Sequence, residues 1–406
     1  MIREGDRISI SQGNTGTLQN DTLTSIVNTT GQILIEPDLR SLRRTHSKDP
    51  LKSATVLSYW RSETGAPLPS CPRTSLETLI NTLQYTNATT LLVGFEIEVT
   101  FLSRSPSNPF TSTSKPSPES VFSPLTTTHA WGTLSPEQFL QLPFLSEIVT
   151  SLDEMGIEII QFHSESGAGQ YEFILPPHPP LLAIDTLIQA RQVISQIAAQ
   201  HGFRATLHPK PLERGAGTAA HAHISLHPPD RDMQFFVGGV LAHLPAICAF
   251  SMPEASSYKR VVDDEWTGGK WVAWGTQNRE VPLRRVKDGR WEIRCLDGLA
   301  NPYFALGATI AAGLLGLQSG EQLYAQLDLP FNPSGLDDAG RAHYGVTRQM
   351  PGRLEEAVEA LKGDGALREV LDQEMVSDYL VMKDAEQKML GEMDEAERRV
   401  FLIERY

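Results

Sequence analysis

The stretch "GFEIEVTF" (residues 94–101) alternates strictly: Phe95, Ile97, Val99 and Phe101 fall on one side of an extended chain, Glu96 and Glu98 on the other. A segment patterned this way reads as a sheet strand with an apolar back and a charged front. Three more segments repeat the pattern. In "GQYEF" (169–173) Gln170 and Glu172 oppose Tyr171 and Phe173. In "AHAHISL" (220–226) His221, His223 and Ser225 oppose Ala222, Ile224 and Leu226. In "RWEIRCL" (290–296) Glu292 and Arg294 oppose Trp291, Ile293 and Cys295. If these strands are neighbours, one sheet face gathers Glu96, Glu98, Glu172, His221 and Glu292, and the Gly-rich turn "HSESGAG" (163–169) adds Glu165. One Glu-x-Glu is ordinarily a solvated face. Four such strands in one chain ask for a cation, because carboxylates that crowd repel one another unless positive charge sits between them. Carboxylate oxygens with an imidazole suit Mg²⁺ or Mn²⁺, and the number of candidate ligands suits more than one ion.

Arginine forms a second cluster. "GTQNREVPLRRV" (275–286) holds Arg279, Arg284 and Arg285, "SYKRVV" (257–262) holds Lys259 and Arg260, and Arg294 follows Glu292 on the fourth strand. Guanidinium groups beside a metal–carboxylate face suit bidentate recognition of phosphate or carboxylate. Together they read as equipment for phosphoryl transfer.

The bulk properties narrow the class. The chain has 406 residues, 40% of them hydrophobic, enough for one large domain or two. Its net charge of −14 carries no basic stripe and argues against a nucleic-acid partner. Three cysteines (Cys71, Cys248, Cys295) without a CxxC pattern fit a reducing cytoplasm. The start "MIREGDRISISQGNTG" has no apolar core of leader length, and "YFALGATIAAGLLGL" (303–317) is too short to span a bilayer, so no membrane role is expected. Residues 1–90 read as a small strand-rich unit, 103–136 as a Ser/Thr/Pro-rich surface loop with a mobile first half, 180–202 as a helix, and the tail from 351 as amphipathic helices.

In order and spacing, "HSESGAGQYEF" (163–173), "ATLHPKP" (205–211), "AGTAAHAHISL" (216–226), "SSYKRVV" (256–262), "WGTQNRE" (274–280) and "EIRCLDGLANPY" (292–303) resemble glutamine synthetase, class I type, and within it the fungal FluG-type branch. The match runs from about residue 91 to 406, with a weaker trace in "ILIEPDLRSL" (33–42) and "CPRTSL" (71–76). The resemblance implies an α+β fold. Residues 91–406 would be a catalytic domain with a curved, mostly antiparallel sheet and surrounding helices, and residues 1–90 a reduced β-grasp-like domain. It implies one metal site from Glu98, Glu165 and Glu172 and a second from Glu96, His221 and Glu292. Arg279 and Arg284 would meet the ATP phosphates and the transferred phosphoryl group. His223, Ser225 and Lys210 would lie near the nucleotide, and Arg260, Arg294 and Gly217 would hold glutamate. The implied reaction is ATP-dependent phosphorylation of the γ-carboxylate of glutamate, then attack by ammonia, in a homo-oligomer.

Departures cluster on the amino-acid and ammonia side. Ala216 and Gly217 stand where the family carries Asn-Gly. The flap "VVDDEWTGGKW" (261–271) makes the stretch from Arg260 to Arg279 one residue longer than usual, so that an ungapped count puts Thr267 at the place of the family's flap glutamate, with Glu265 or Asp264 able to serve after a small shift. The family's aspartate-bearing N-terminal loop has no clear counterpart, and Asp38 falls in a different stretch. The leading expectation is therefore a glutamine-forming ligase. The alternatives are a γ-glutamyl ligase for a polyamine or other amine, or a regulatory or structural member with weak catalysis.

Overall fold

The computed structural model describes residues 3, 5–28, 30–104, 121–126, 131–228, 232–320, 323 and 326–406. Near the N-terminus β1 (Ile8–Ser11), β2 (Gln32–Pro37) and β5 (Ser58–Arg61) make a three-stranded sheet in the order β1-β2-β5. The short β3 (Arg43–Arg44) and β4 (Ala54–Thr55) pair separately. The rest of this region is not strand: Pro72–Asn87 is a helix opened by a proline at its first turn. Its Leu76, Leu79 and Leu83 are buried in the main hydrophobic core.

The second sheet carries the patterned segments. Its strands are β6 (Thr90–Arg104), β7 (Phe122–Pro124), β8 (Gln161–Ser164), β9 (Gln170–Ile174), β10 (Phe203–Thr206), β11 (Ala222–His227), β12 (Trp274–Thr276), β13 (Leu283–Lys287) and β14 (Arg290–Ile293). They run in the order β12-β13-β14-β11-β6-β9-β8, with β7 and β10 also paired to β6. The four strands with a charged front are thus consecutive neighbours: β14, β11, β6, β9. All pairings are antiparallel except β12 with β13. The expected loop at 103–136 is shorter than its Ser/Thr/Pro content suggests. Ser103 and Arg104 still belong to β6, and Phe122–Pro124 return to pair with it. Residues 105–120 and 127–130, where a mobile half was expected, lie outside the described residues.

The apolar back packs as the alternation requires. Phe95, Ile97, Val99 and Phe101 are at most 2% exposed, against the helices Pro143–Glu154 and Pro180–Gln200, whose buried leucines and isoleucines join the same core. Behind them the apolar helices Met233–Ser251 and Pro302–Ser319 cross closely. A side chain at Gly239 would meet the Ala312 carbonyl at 2.2 Å, so only glycine permits the contact. Met233–Ser251 is long and apolar enough to cross a membrane by composition, but 72% of its most apolar window is buried inside the protein. The tail forms helices Leu354–Gly363, Gly365–Leu371, Gln373–Gly391 and Glu395–Ile403.

A buried ionic network ties the N-terminal region to this core. Arg73 places Nη1 2.9 Å from Asp38 and Nη2 2.5 Å from Asp185, and the Tyr303 hydroxyl donates to Asp185 at 2.6 Å. Arg40 completes the cluster at 2.8 Å from Asp38, which is only 8% exposed. Asp38 is therefore committed to a structural ion pair.

Candidate active site

Register places the acids. Glu98 lies opposite Glu172 across β6 and β9, and Glu172 lies opposite His163 on β8. On the other flank His223 lies opposite Glu292 and Gly94. His221 sits just before β11, where its carbonyl accepts the Glu96 amide at 3.0 Å. One-sided alternation thus becomes a contiguous polar face: Glu98, Glu172 and Glu292 are 7%, 6% and 1% exposed, and Glu96 is half-buried.

The side chains converge. His221 Nδ1 is 2.8 Å from Glu96 Oε2, 3.3 Å from Glu292 Oε1 and 3.6 Å from Glu98 Oε1. His223 Nε2 donates to Glu96 Oε1 at 2.6 Å, while its Nδ1 accepts from Arg290 Nε at 3.3 Å. Ligand atoms of Glu96, His223 and Glu292 all lie within 4.8 Å of one another. His223, assigned to the nucleotide by the resemblance, therefore stands among the possible ion ligands. Glu98 accepts from the Ala219 amide at 2.7 Å and from Gln170 Nε2 at 3.0 Å. Glu165 reaches the rim from the turn between β8 and β9, where Oε2 accepts from the Ser166 hydroxyl at 2.8 Å.

Electrostatics explains what this face lacks. Burial pushes Glu172 up to about 9, and the charges of Glu96, Glu98, Glu165 and Glu292 add to it. Burial likewise raises Glu98. For Glu96 burial also pulls upward, but hydrogen bonds from His221 and His223 outweigh it and hold the carboxyl well below its usual range. Burial is outweighed at Glu292 too, by His221 and Arg294. Two imidazoles at Glu96, and His221 with Arg294 at Glu292, hold those acids in the ionised form. At Glu172 the single imidazole of His163, 3.3 Å away, does not offset burial and four neighbouring acids. A crowded, oxygen-rich set with an acid forced to keep its proton is what a divalent cation would complete, so the residues fit Mg²⁺ or Mn²⁺.

The arginines divide. Arg284 Nη1 is 2.9 Å from Glu292 Oε2, and Arg294 closes on the other oxygen, so both stand on the acid face. Arg260 is 2% exposed and pairs with no carboxylate among the described residues; its Nη2 donates to the Arg294 carbonyl at 3.1 Å and its Nη1 to the Thr267 carbonyl at 3.4 Å. Burial lowers its pKa. A buried guanidinium satisfied only by carbonyls is suited to an incoming carboxylate. Gly217 lies against it: a Cβ there would be 2.4 Å from Arg260 Cγ. Ser225 shares the front of β11 and is half-buried. Arg279 is exposed, and Lys210 donates to the Gly215 carbonyl at 2.6 Å, so neither side chain reaches the acids here.

The flap is held by a residue that sequence reasoning missed. Glu280 accepts from the Trp266 amide at 2.7 Å and from the Asp264 amide at 3.2 Å. Arg294 Nη2 then donates to the Trp266 carbonyl at 2.7 Å. Thr267 spends its hydroxyl inside the turn, on Val262, and Asp264 accepts from Asn332 at 2.9 Å. Of the three flap candidates Glu265 alone is left exposed without a partner among the described contacts. Gln170, which joins Glu98 to the Gly217 carbonyl at 3.0 Å each, was also missed as a site residue, although its place on the polar face of "GQYEF" was visible.

Comparison with known proteins gives the family and the fold. The glutamine synthetase catalytic domain matches residues 69–400. The chain is 43% identical over 406 residues to the fluG protein of Emericella nidulans, covering 100% of this chain and 46% of that protein, so it spans about half the relative's length. It is 31% identical to the gamma-glutamylpolyamine synthetase GlnA3 of Streptomyces coelicolor, over 84% of this chain and 74% of that protein. Among solved structures, a novel glutamine synthase homolog superposes with a TM-score of 0.78 at 23% identity, covering 98% of this chain and 91% of that one. A GmaS/ADP complex superposes with a TM-score of 0.74 at 25% identity, over 91% and 85%. The chain belongs to the glutamine synthetase family and carries its α+β catalytic domain.

Proposed function

We propose that this chain is an ATP-dependent carbon–nitrogen ligase that activates the γ-carboxylate of glutamate and passes it to an amine. The observation that carries the reading is the pair of guanidinium groups closing on opposite oxygens of Glu292 beside a buried, under-neutralised acid cluster. Divalent ions bound there by Glu96, Glu98, Glu165, Glu172, Glu292 and a histidine would supply the positive charge that ATP and a developing acyl phosphate need.

The chain's own residues do the rest. Arg260 would take a substrate carboxylate, with Gly217 leaving room for its stem. Arg294 would join Arg260 on the carboxylates of glutamate, and Arg284 would face the transferred phosphoryl group, with Arg279 swinging in from the surface. A γ-carboxylate oxygen attacks the γ-phosphorus, the bridge to ADP breaks, and γ-glutamyl phosphate results. The amine nitrogen then attacks the acyl carbon of the γ-carboxyl group, the carbon–oxygen bond to phosphate breaks, and the surplus proton leaves through Glu265, which faces solvent. No covalent enzyme intermediate is required; positioning and charge neutralisation supply the rate.

With ammonia the product is glutamine. A substituted amine is favoured by one observation: the flap presents an exposed tryptophan, Trp266, beside Glu265. The printed activity of the Streptomyces coelicolor relative is compatible with that. A homo-oligomer in a reducing cytoplasm stays part of the reading, the latter on the sparse cysteines. The test is phosphate release from ATP with Mg²⁺ or Mn²⁺ and glutamate, comparing ammonium, hydroxylamine and a panel of amines. Acceptor-dependent release with a γ-glutamyl product supports the ligase. Nucleotide binding without release under any condition contradicts it.

A further inference from the structure

A cleft of about 660 Å³ lies where the N-terminal region meets the catalytic core and the tail, and none of the residues lining it belongs to the acid face. Its volume is that of a small-molecule site. Stretches far apart in sequence build it: the N-terminal region between residues 12 and 72, residues 253 and 299–304, and the helix Gln373–Gly391 with Tyr406.

The lining offers aromatic surface on one hand and unpaired acid on the other. Trp60, Phe304 and Tyr379 supply the first. The Tyr379 hydroxyl donates into the core, to the Ala249 carbonyl at 2.6 Å, so the cleft meets its ring. Phe304 packs edge-on to that ring at 5.5 Å. Glu374 and Asp378 supply the second. They stand one turn apart on the same helix, and among the described residues neither carboxylate has a hydrogen-bond or ion-pair partner. Burial, with the charges of Glu374 and Asp372, pushes the Asp378 carboxyl above its ordinary value.

The cleft's own cation does not relieve this crowding. Lys383, the one cation among the lining residues, is taken by Glu386. Glu386 also accepts from Gln19 Nε2 at 2.6 Å, which leaves Gln19 Oε1 buried with no partner. The unspent polar groups are thus acceptors: two carboxylates and one amide oxygen. An anionic ligand would meet like charge, and a neutral one would leave the acids without countercharge. A cationic head with an aromatic body answers both surfaces, since rings pack on rings and ammonium pairs with carboxylate.

We infer that this cleft is a binding site for a small arylalkylammonium ion, its head held by Glu374 and Asp378 and its ring set against Trp60, Phe304 and Tyr379. Occupied, it would join the N-terminal region to the tail helix and the catalytic core. The site stands apart from the acid face, so it can fail or hold whatever becomes of the ligase reading.

The experiment is calorimetric titration of 2-phenylethylammonium into the full chain, with 2-phenylethanol as the neutral analogue. Saturable binding to one site is expected, at least tenfold tighter than for the alcohol. The paired change Glu374→Gln with Asp378→Asn should weaken it about tenfold while leaving binding of a non-hydrolysable ATP analogue unchanged. The ligand should also raise the wild-type Tm, as any ligand of the folded state does. No binding to wild type overturns the inference, and so does equal affinity for the alcohol, a comparison that needs no variant. Binding that the paired variant keeps in full places the ligand elsewhere and overturns it. Competition by Mn²⁺ with the ATP analogue places the ligand on the acid face and overturns it too.

Discussion

The stem of Arg260 occupies the space that Gly217 leaves by having no side chain. A Cβ at 217 would lie 2.4 Å from Arg260 Cγ and 3.1 Å from the Pro209 carbonyl. The first neighbour is a side chain that can shift; the second is backbone that cannot easily do so. Gly217→Ala should therefore push the guanidinium off its position and raise the KM for glutamate by about tenfold or more, since small misplacements of positioning groups are costly. Mn²⁺ affinity should change little. Steady-state kinetics with a parallel metal titration checks the split; loss of metal binding would point to collapse of the whole face.

Glu172 makes the opposite kind of prediction. Its carboxyl is driven up by burial and by neighbouring acids, so in metal-free protein near neutral pH it is held protonated, at a cost in stability that the unfolded chain does not bear. Glu172→Gln should leave the metal-free Tm unchanged or higher. The rise in Tm on adding Mn²⁺ should shrink, because binding to the folded state is what produces it. Turnover should be lost. A variant that keeps the full Mn²⁺-induced shift would remove Glu172 from the ligand set.

Glu280 holds the flap through two backbone amides. Replacing it with Ala leaves both donors without a carboxylate and frees the turn. The expected outcome is leakage: phosphate release continues while the yield of γ-glutamyl product per phosphate falls, as water reaches the acyl phosphate. A constant product-to-phosphate ratio would show that the flap does not shield the intermediate.

How much of this was legible beforehand follows from the range of each interaction. The charged faces of β6, β9, β11 and β14 were readable because period-two alternation is local. Their adjacency was not, since pairing is decided by residues far apart in sequence. The helix Pro72–Asn87 was hidden by threonines at 74, 78, 82 and 86, which favour strands. Three of them instead bond back along the helix, with Thr78 and Thr82 donating to carbonyls one turn earlier at 3.0 and 2.9 Å, and Thr86 doing likewise to Thr82. Leu76, Leu79 and Leu83 at helical spacing were the overlooked signal. Glu280 was missed because it acts on amides 14 and 16 residues away that no motif marks. Arg73 and Asp185 meet across 112 residues.

That same network gives a pH prediction. Burial pulls Asp38 upward, but hydrogen bonds from Arg40 and Arg73 outweigh it and bring the carboxyl down to about 2 from its ordinary 3.8. A lowered carboxylate stabilises the fold fully above its ordinary value and loses that contribution as pH falls toward 2. Asp38→Asn should cost about 3 kcal/mol near neutral pH, the order expected for breaking a buried ion pair. The gap between variant and wild type should close between about pH 4 and pH 2. Urea unfolding at several pH values checks it; a gap that widens on acidification would contradict the assignment.

The most direct test of carboxylate activation uses glutamate carrying ¹⁸O in its γ-carboxyl group. With ATP, Mg²⁺ and any acceptor that turns over, mass spectrometry of the released phosphate should find one ¹⁸O per phosphate, because the oxygen that attacked the γ-phosphorus leaves with it. Phosphate free of the label would mean that ATP is merely hydrolysed beside glutamate and that no γ-glutamyl phosphate forms.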